Sequence, residues 1–102
     1  MITEQLQLIP DDPATITSIK RSKLQNLIHA LAEAGMAHDD AWRSIYGQLS
    51  NNHGLDIDAA VKQLSQTYGI YLTKLDFIDS CGWIDEAREI ATNSLRDLRL
   101  NR

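Results

Sequence analysis

Four glycines divide this sequence into runs whose apolar residues repeat at helical spacing, and no other feature constrains the fold as much. Gly35, Gly54, Gly69 and Gly82 each follow such a run. Glycine accepts the left-handed backbone that ends a helix at little steric cost. Leu24, Leu27, Ile28 and Leu31 stand at i, i+3, i+4 and i+7, which is one face of a helix. The spacing predicts that helix near 18–34, with Thr17, Ser18 and Ser22 as candidate N-caps. Trp42, Ile45, Tyr46 and Leu49 repeat the pattern in a second helix that opens near His38–Asp40. Acids there suit the positive end of the helix dipole. Ile57, Ala60, Val61, Leu64 and Tyr68 form a third stripe near 57–68, capped by Asp56 or Asp58. Thr73 and Asp76 have capping-box spacing and open a short fourth helix near 74–80. A last helix starts near Ile84 or Asp85 and runs to about Leu98 on Ala87, Ile90, Ala91, Leu95 and Leu98. Its acids lie at the N-terminal end and Arg96, Arg99 and Arg102 at the other, the polarity the dipole favours.

The expected fold is therefore all-α: a compact single domain of four to five short helices over 16–102, behind an extended leader over 1–15. Pro10, Asp11, Asp12 and Pro13 oppose helix in that leader. Ile2, Leu6, Leu8 and Ile9 make it apolar enough to lie against the body or a partner. Ile70, Tyr71 and Leu72 would be a lone strand without a partner, so they read as a buried connector. The expected core is Leu24, Leu27, Ile28, Leu31, Trp42, Ile45, Tyr46, Leu49, Val61, Leu64, Phe77, Ile90 and Leu95. A chain of 102 residues can bury such a core without disulfides or metal. Its 43% hydrophobic and 24% charged content argues against disorder. The one cysteine, Cys81, cannot form an internal disulfide. No apolar run of about 18 residues predicts a membrane span. Met1 to Pro10 lacks the features of a signal peptide. The expected compartment is the cytoplasm.

Searching for chemistry returns little. His29, His38 and His53 stand in no H-x-x-x-H or H-E-x-x-H arrangement, and Cys81 has no C-x-x-C partner. Zinc needs about four such ligands together, so no metal or cofactor is expected. Cys81 sits at a helix C-terminus, which raises a thiol pKa, and it reads as a small buried hydrophobe. The acid pairs fall where helices begin, so capping accounts for most of them. Asp56-Ile57-Asp58 lacks the central glycine and closing glutamate of a calcium loop. No glycine-rich phosphate motif is present. The chain is expected to be non-enzymatic and to bind no small molecule.

Charge is the remaining signal. A formal net charge of −4 does not suit indiscriminate binding to polyphosphate. Local basic groups exist all the same. Lys20, Arg21 and Lys23 read as the start of the first helix, where cations oppose the dipole. Lys74 opens the fourth, and Arg96 and Arg99 close the last. These six are the candidate contacts for nucleic acid or an acidic partner. Residues 61–80 can also be laid out as a helix-turn-helix, with Ile70, Leu75 and Ile78 inward. Its second helix would offer Asp76 and Asp79 to DNA, with only Lys74 in favour.

Residues Ile19 to Ala91, about three quarters of the chain, resemble the C-terminal domain of phage antirepressor-type regulatory proteins. Lys23-Leu24 with Leu27-Ile28, and Trp42 through Leu49, are similar to that domain's opening helix and aromatic pair. Either His53-Gly54-Leu55 or Tyr68-Gly69-Ile70 matches its Phe-Gly-Val-like step, followed by Leu75-Asp76-Phe77 and Glu86-Ala87. The resemblance implies a prophage or mobile-element regulator acting through protein or DNA contact, and it supplies no catalytic residue. Two roles follow. One is a regulatory protein-interaction module, with a protein partner or self-association as a dimer. The other is a sequence-specific DNA-binding transcriptional regulator using the segment near 61–80. Neither involves a membrane.

Overall fold

The computed structural model describes the backbone of residues 13–100 and the side chains of residues 19–100. The described residues form five helices and no strand, the all-α architecture that the periodicity predicts. They are α1 (Pro13–Glu33), α2 (His38–His53), α3 (Ile57–Tyr68), α4 (Lys74–Ser80) and α5 (Ile84–Leu100). Residues 1–12 of the expected leader lie outside the described residues.

The first helix begins five residues earlier than the spacing suggests, and Pro13 explains why. Proline at the first helical position loses nothing, because its missing N–H would have no intrahelical partner there. Residues 13–15, assigned to the leader by sequence, are thus helical. Lys20, Arg21 and Lys23 consequently stand well inside α1 rather than at its start. Cations at that depth in a helix lie beyond the first turn, which is where the dipole would oppose them.

The remaining boundaries follow local chemistry. Gly54 (φ 61°) and Gly69 (φ 63°) take the left-handed conformation after α2 and α3. Each donates its backbone N–H to a carbonyl of the last turn, Ser50 and Ser65 respectively. Asp56 caps α3 by accepting from the Ala59 N–H. Thr73 and Asp76 form the full reciprocal capping box at the head of α4.

Helices α1, α2 and α5 make the main body, with α5 packed most extensively on α1. The buried core is Leu24, Ile28 and Leu31 from α1, Ala41, Ile45 and Leu49 from α2, and Ile84, Ala87, Ile90, Ala91 and Leu95 from α5. Phe77 and Ile78 join it from α4, but α3 contributes Ile57 alone. Helices α3 and α4 pack against each other as an arm on this body. Several expected core residues are only half-buried: Leu27, Trp42, Tyr46, Val61 and Leu64. The expectation for the connector fails more clearly. Leu72 is half-buried, while Ile70 is 52% and Tyr71 89% exposed. Tyr68, expected on the α3 stripe, is 68% exposed. Cys81 is exposed rather than buried.

This division has an energetic consequence. Ile78→Ala removes a fully buried side chain and should cost about 2–5 kcal/mol. Val61→Ala, on the shallow face of α3, should cost about 1 kcal/mol or less. Urea unfolding of the two variants beside the wild type measures both. Equal losses would show that α3 is as deeply anchored as α4.

Candidate functional site

The six cations singled out from sequence meet different fates. Lys20 Nζ lies 3.0 Å from Asp85 Oδ2 and joins α1 to α5. Arg21 forks between two acids of α4, with Nη1 3.1 Å from Asp76 Oδ1 and Nε 2.7 Å from Asp79 Oδ2. Lys74 Nζ lies 2.6 Å from Asp58 Oδ1 and 5.4 Å from the centre of the Tyr46 ring. Arg96 donates to Asn93 Oδ1 at 2.8 Å. Lys23 and Arg99 are exposed and have no carboxylate partner among the described residues. Half of the set is therefore engaged by the protein's own acids.

The Arg21 fork bears on the helix-turn-helix layout. The acids of α4 that would face DNA instead face α1, held by a guanidinium that is about two-thirds buried. Phe77 and Ile78 of the same seven-residue helix are buried in the core. The α4 surface is thus occupied from within the chain. Ile70, expected inside this layout, lies outside it.

The most exposed apolar surface surrounds the α3–α4 turn. Tyr68, Ile70 and Tyr71 are consecutive but for Gly69, and more than half of each is open to solvent. Isolated exposed apolar residues are ordinary, whereas contiguous ones mark contact surfaces. Facing α3 and α4 from α2 is a cleft of 470 Å³, lined by Trp42, Tyr46, Gly47, Asp56, Asp58 and Lys74 among others. Trp42 and Tyr46 stack at its wall with ring centres 5.6 Å apart and planes 18° apart. Burial pushes the Tyr46 phenol up to about 12, so it stays protonated in neutral solution. Gly47 adds no side chain to the wall, and a Cβ there would meet nothing.

Sequence reading also left the histidines without partners, and the fold supplies them. His29 Nδ1 and His38 Nε2 lie 3.1 Å apart across the α1–α2 turn. His53 stacks on Trp83 with ring centres 3.9 Å apart, and its Nε2 donates to Glu86 at 2.8 Å. Asn52 donates to the other oxygen of Glu86 at 2.9 Å. These contacts fasten the end of α2 to the start of α5. They join residues 33 and 34 apart in sequence, so local spacing carries no trace of them. Among the described residues, no group of three or more His, Cys, Asp and Glu side chains is placed to hold a metal ion. The Cys81 thiol is pushed above its usual range by desolvation, which lowers its nucleophilicity. No described helix is long and apolar enough to cross a membrane.

No family model, curated protein or solved structure matches this chain. The functional reading consequently rests on its own residues.

Four carboxylates titrate below their usual range. Lys74 holds Asp58 down, the Thr73 hydroxyl and backbone N–H hold Asp76 down with help from Arg21, Lys20 holds Asp85 down, and Asn52 and then His53 hold Glu86 down. A carboxylate with a depressed folded-state pKa contributes stability that is fully present above its unfolded value. That stability is lost as pH falls through the folded value. The ordinary values are 3.8 for Asp and 4.5 for Glu. Carboxylate-linked stability should therefore hold above about pH 5 and decline below pH 4. Asp76→Asn should flatten part of that decline in urea unfolding measured between pH 3 and pH 6. An unchanged acid limb would remove Asp76 from this account.

Proposed function

We propose that this chain is a non-enzymatic, regulatory protein-interaction module, and that the turn at Tyr68, Ile70 and Tyr71 is its principal contact surface. One observation carries the reading: Tyr68, Ile70 and Tyr71, three large apolar side chains at one turn, each leave more than half of their surface open to solvent. Tyrosine is suited to this role because it offers a large apolar ring, a polar tip and few rotatable bonds. The resemblance to antirepressor-type domains supports a regulatory role of prophage or mobile-element origin. Direct DNA reading is the weaker account, since Arg21 and Lys74 are engaged by Asp76, Asp79 and Asp58.

A photoreactive residue placed at Tyr71 should crosslink to a defined protein partner, or to a second copy of this chain. The partner is then purified and its affinity measured. Replacing Ile70 and Tyr71 by serine should weaken that pair by about tenfold or more, the size of a hot-spot loss. The melting temperature should stay unchanged, because both residues face solvent. Undiminished affinity in the serine variant would remove the turn as the contact surface.

A further inference from the structure

A second surface lies along the seam between α1 and α5. Lys23, Asn26 and Leu27 fall at i, i+3 and i+4 on α1, and Arg88 and Thr92 at i and i+4 on α5. The two helices bring these five residues around a groove of 440 Å³ that no carboxylate lines. Lys23 and Asn26 are exposed, and Leu27 is a half-buried floor.

Among the described residues, Arg88 is the cation that buries a donor without a partner. It is two-thirds buried, and its one carboxylate contact is Nη1 to Asp85 Oδ1 at 3.3 Å. Asp85 is shared with Lys20, at the shorter distance of 3.0 Å. The Arg88 Nε is buried and has no hydrogen-bond partner. Buried donors are nearly always paired, so a lone one calls for a physical cause. Guanidinium is a fork of five donors matched to a planar carboxylate, and here its Nε edge lacks an acceptor.

We infer that this groove takes a carboxylate from an acidic, amphipathic peptide segment of a partner protein, with Lys23 and Arg88 as the charged contacts and Asn26 and Thr92 as hydrogen-bonding ones. A carboxylate that draws the guanidinium around gives its orphaned edge an acceptor. The occupant is a peptide rather than a free acid because the surface continues along α5. Thr92 also borders a depression formed with Leu95, Arg96, Arg99 and Leu100, where Leu100 is 74% exposed. Cations beside apolar side chains suit alternating acidic and apolar residues. A nucleic-acid backbone suits it less. A run of phosphates offers no apolar group to Leu27 or Leu100. This site is independent of the aromatic turn and stands whether or not Tyr71 meets a partner.

The test uses the full chain and a fluorescein-labelled peptide of alternating glutamate and leucine. Anisotropy should saturate, and the Arg88 Nε–H resonance and the Lys23, Asn26 and Thr92 amides should shift in ¹⁵N NMR. Lys23→Gln should weaken binding by about tenfold without changing the melting temperature, consistent with loss of one charge-assisted contact. Arg88→Gln should weaken it at least as much, and the serine variant of Ile70 and Tyr71 should bind as the wild type does. Equal binding of the glutamine-for-glutamate peptide would overturn the inference. So would shifts confined to other residues, or equal occupancy by free glutamate at the same concentration. Duplex DNA taking the groove with a steep salt dependence would overturn it in favour of phosphate.

Discussion

Ala87 and Ala91 have no solvent exposure, and the close seating of α5 on α1 that they permit determines where the other helices can go. Alanine presents only a methyl group, so a helix carrying two of them one turn apart can approach its neighbour closely. Leu24, Ile28 and Leu31 fill the space on the α1 side, and Ala41, Ile45 and Leu49 of α2 close the third side. Burial of this apolar surface is the main stabilising term in a domain of this size. The polar fasteners are arranged around that body. Asp85 and Glu86, in the first turn of α5, reach Lys20 on α1 and Asn52 and His53 on α2. Exposed ion pairs of this kind are worth little singly, so they orient the helices more than they hold them together.

With three helices closing the core, the remaining two must attach to its outside. Helix α4 does so through Phe77 and Ile78, and the Arg21 fork clasps its two acids from α1. Helix α3 buries one side chain fully, Ile57, and otherwise leans on α4. The connector between them has no interior left to enter. Ile70 and Tyr71 accordingly face solvent, although their apolar character is that of a core segment.

That contrast marks what can be read from the sequence. Period and punctuation suffice for the helices, because apolar spacing, caps and glycine stops act within a few residues. The Gly54 stop of α2, both ends of α3 and the Thr73 capping box follow from such local chemistry. Pro13 misleads because proline both breaks helices and begins them. Depth of burial is a different kind of property. Val61 and Leu64 have the same spacing as Ile28 and Leu31, yet tertiary geometry leaves them half-covered. The candidate charges are partly legible: the basic residues at 20–23 stand out, but whether each meets an acid depends on chain segments 55 to 65 residues away. Nothing local to Arg88 shows that its Nε is orphaned, because that depends on how α5 is seated.

The shallow seating of α3 has a thermodynamic meaning. Segments with few buried contacts open at a smaller free energy than the global unfolding of the domain. Helix α3 and the turn after it thus form a softer layer than the three-helix body and the α4 that Phe77 and Ile78 anchor to it. The turn at Tyr71 belongs to the softer layer, while Arg21 belongs to the firmer one and grips the arm from it. The fraction of molecules presenting an ordered turn is then tied to the occupancy of that grip. If a partner binds there, its affinity is scaled by that fraction, and a residue outside the contact would govern how readily it is held.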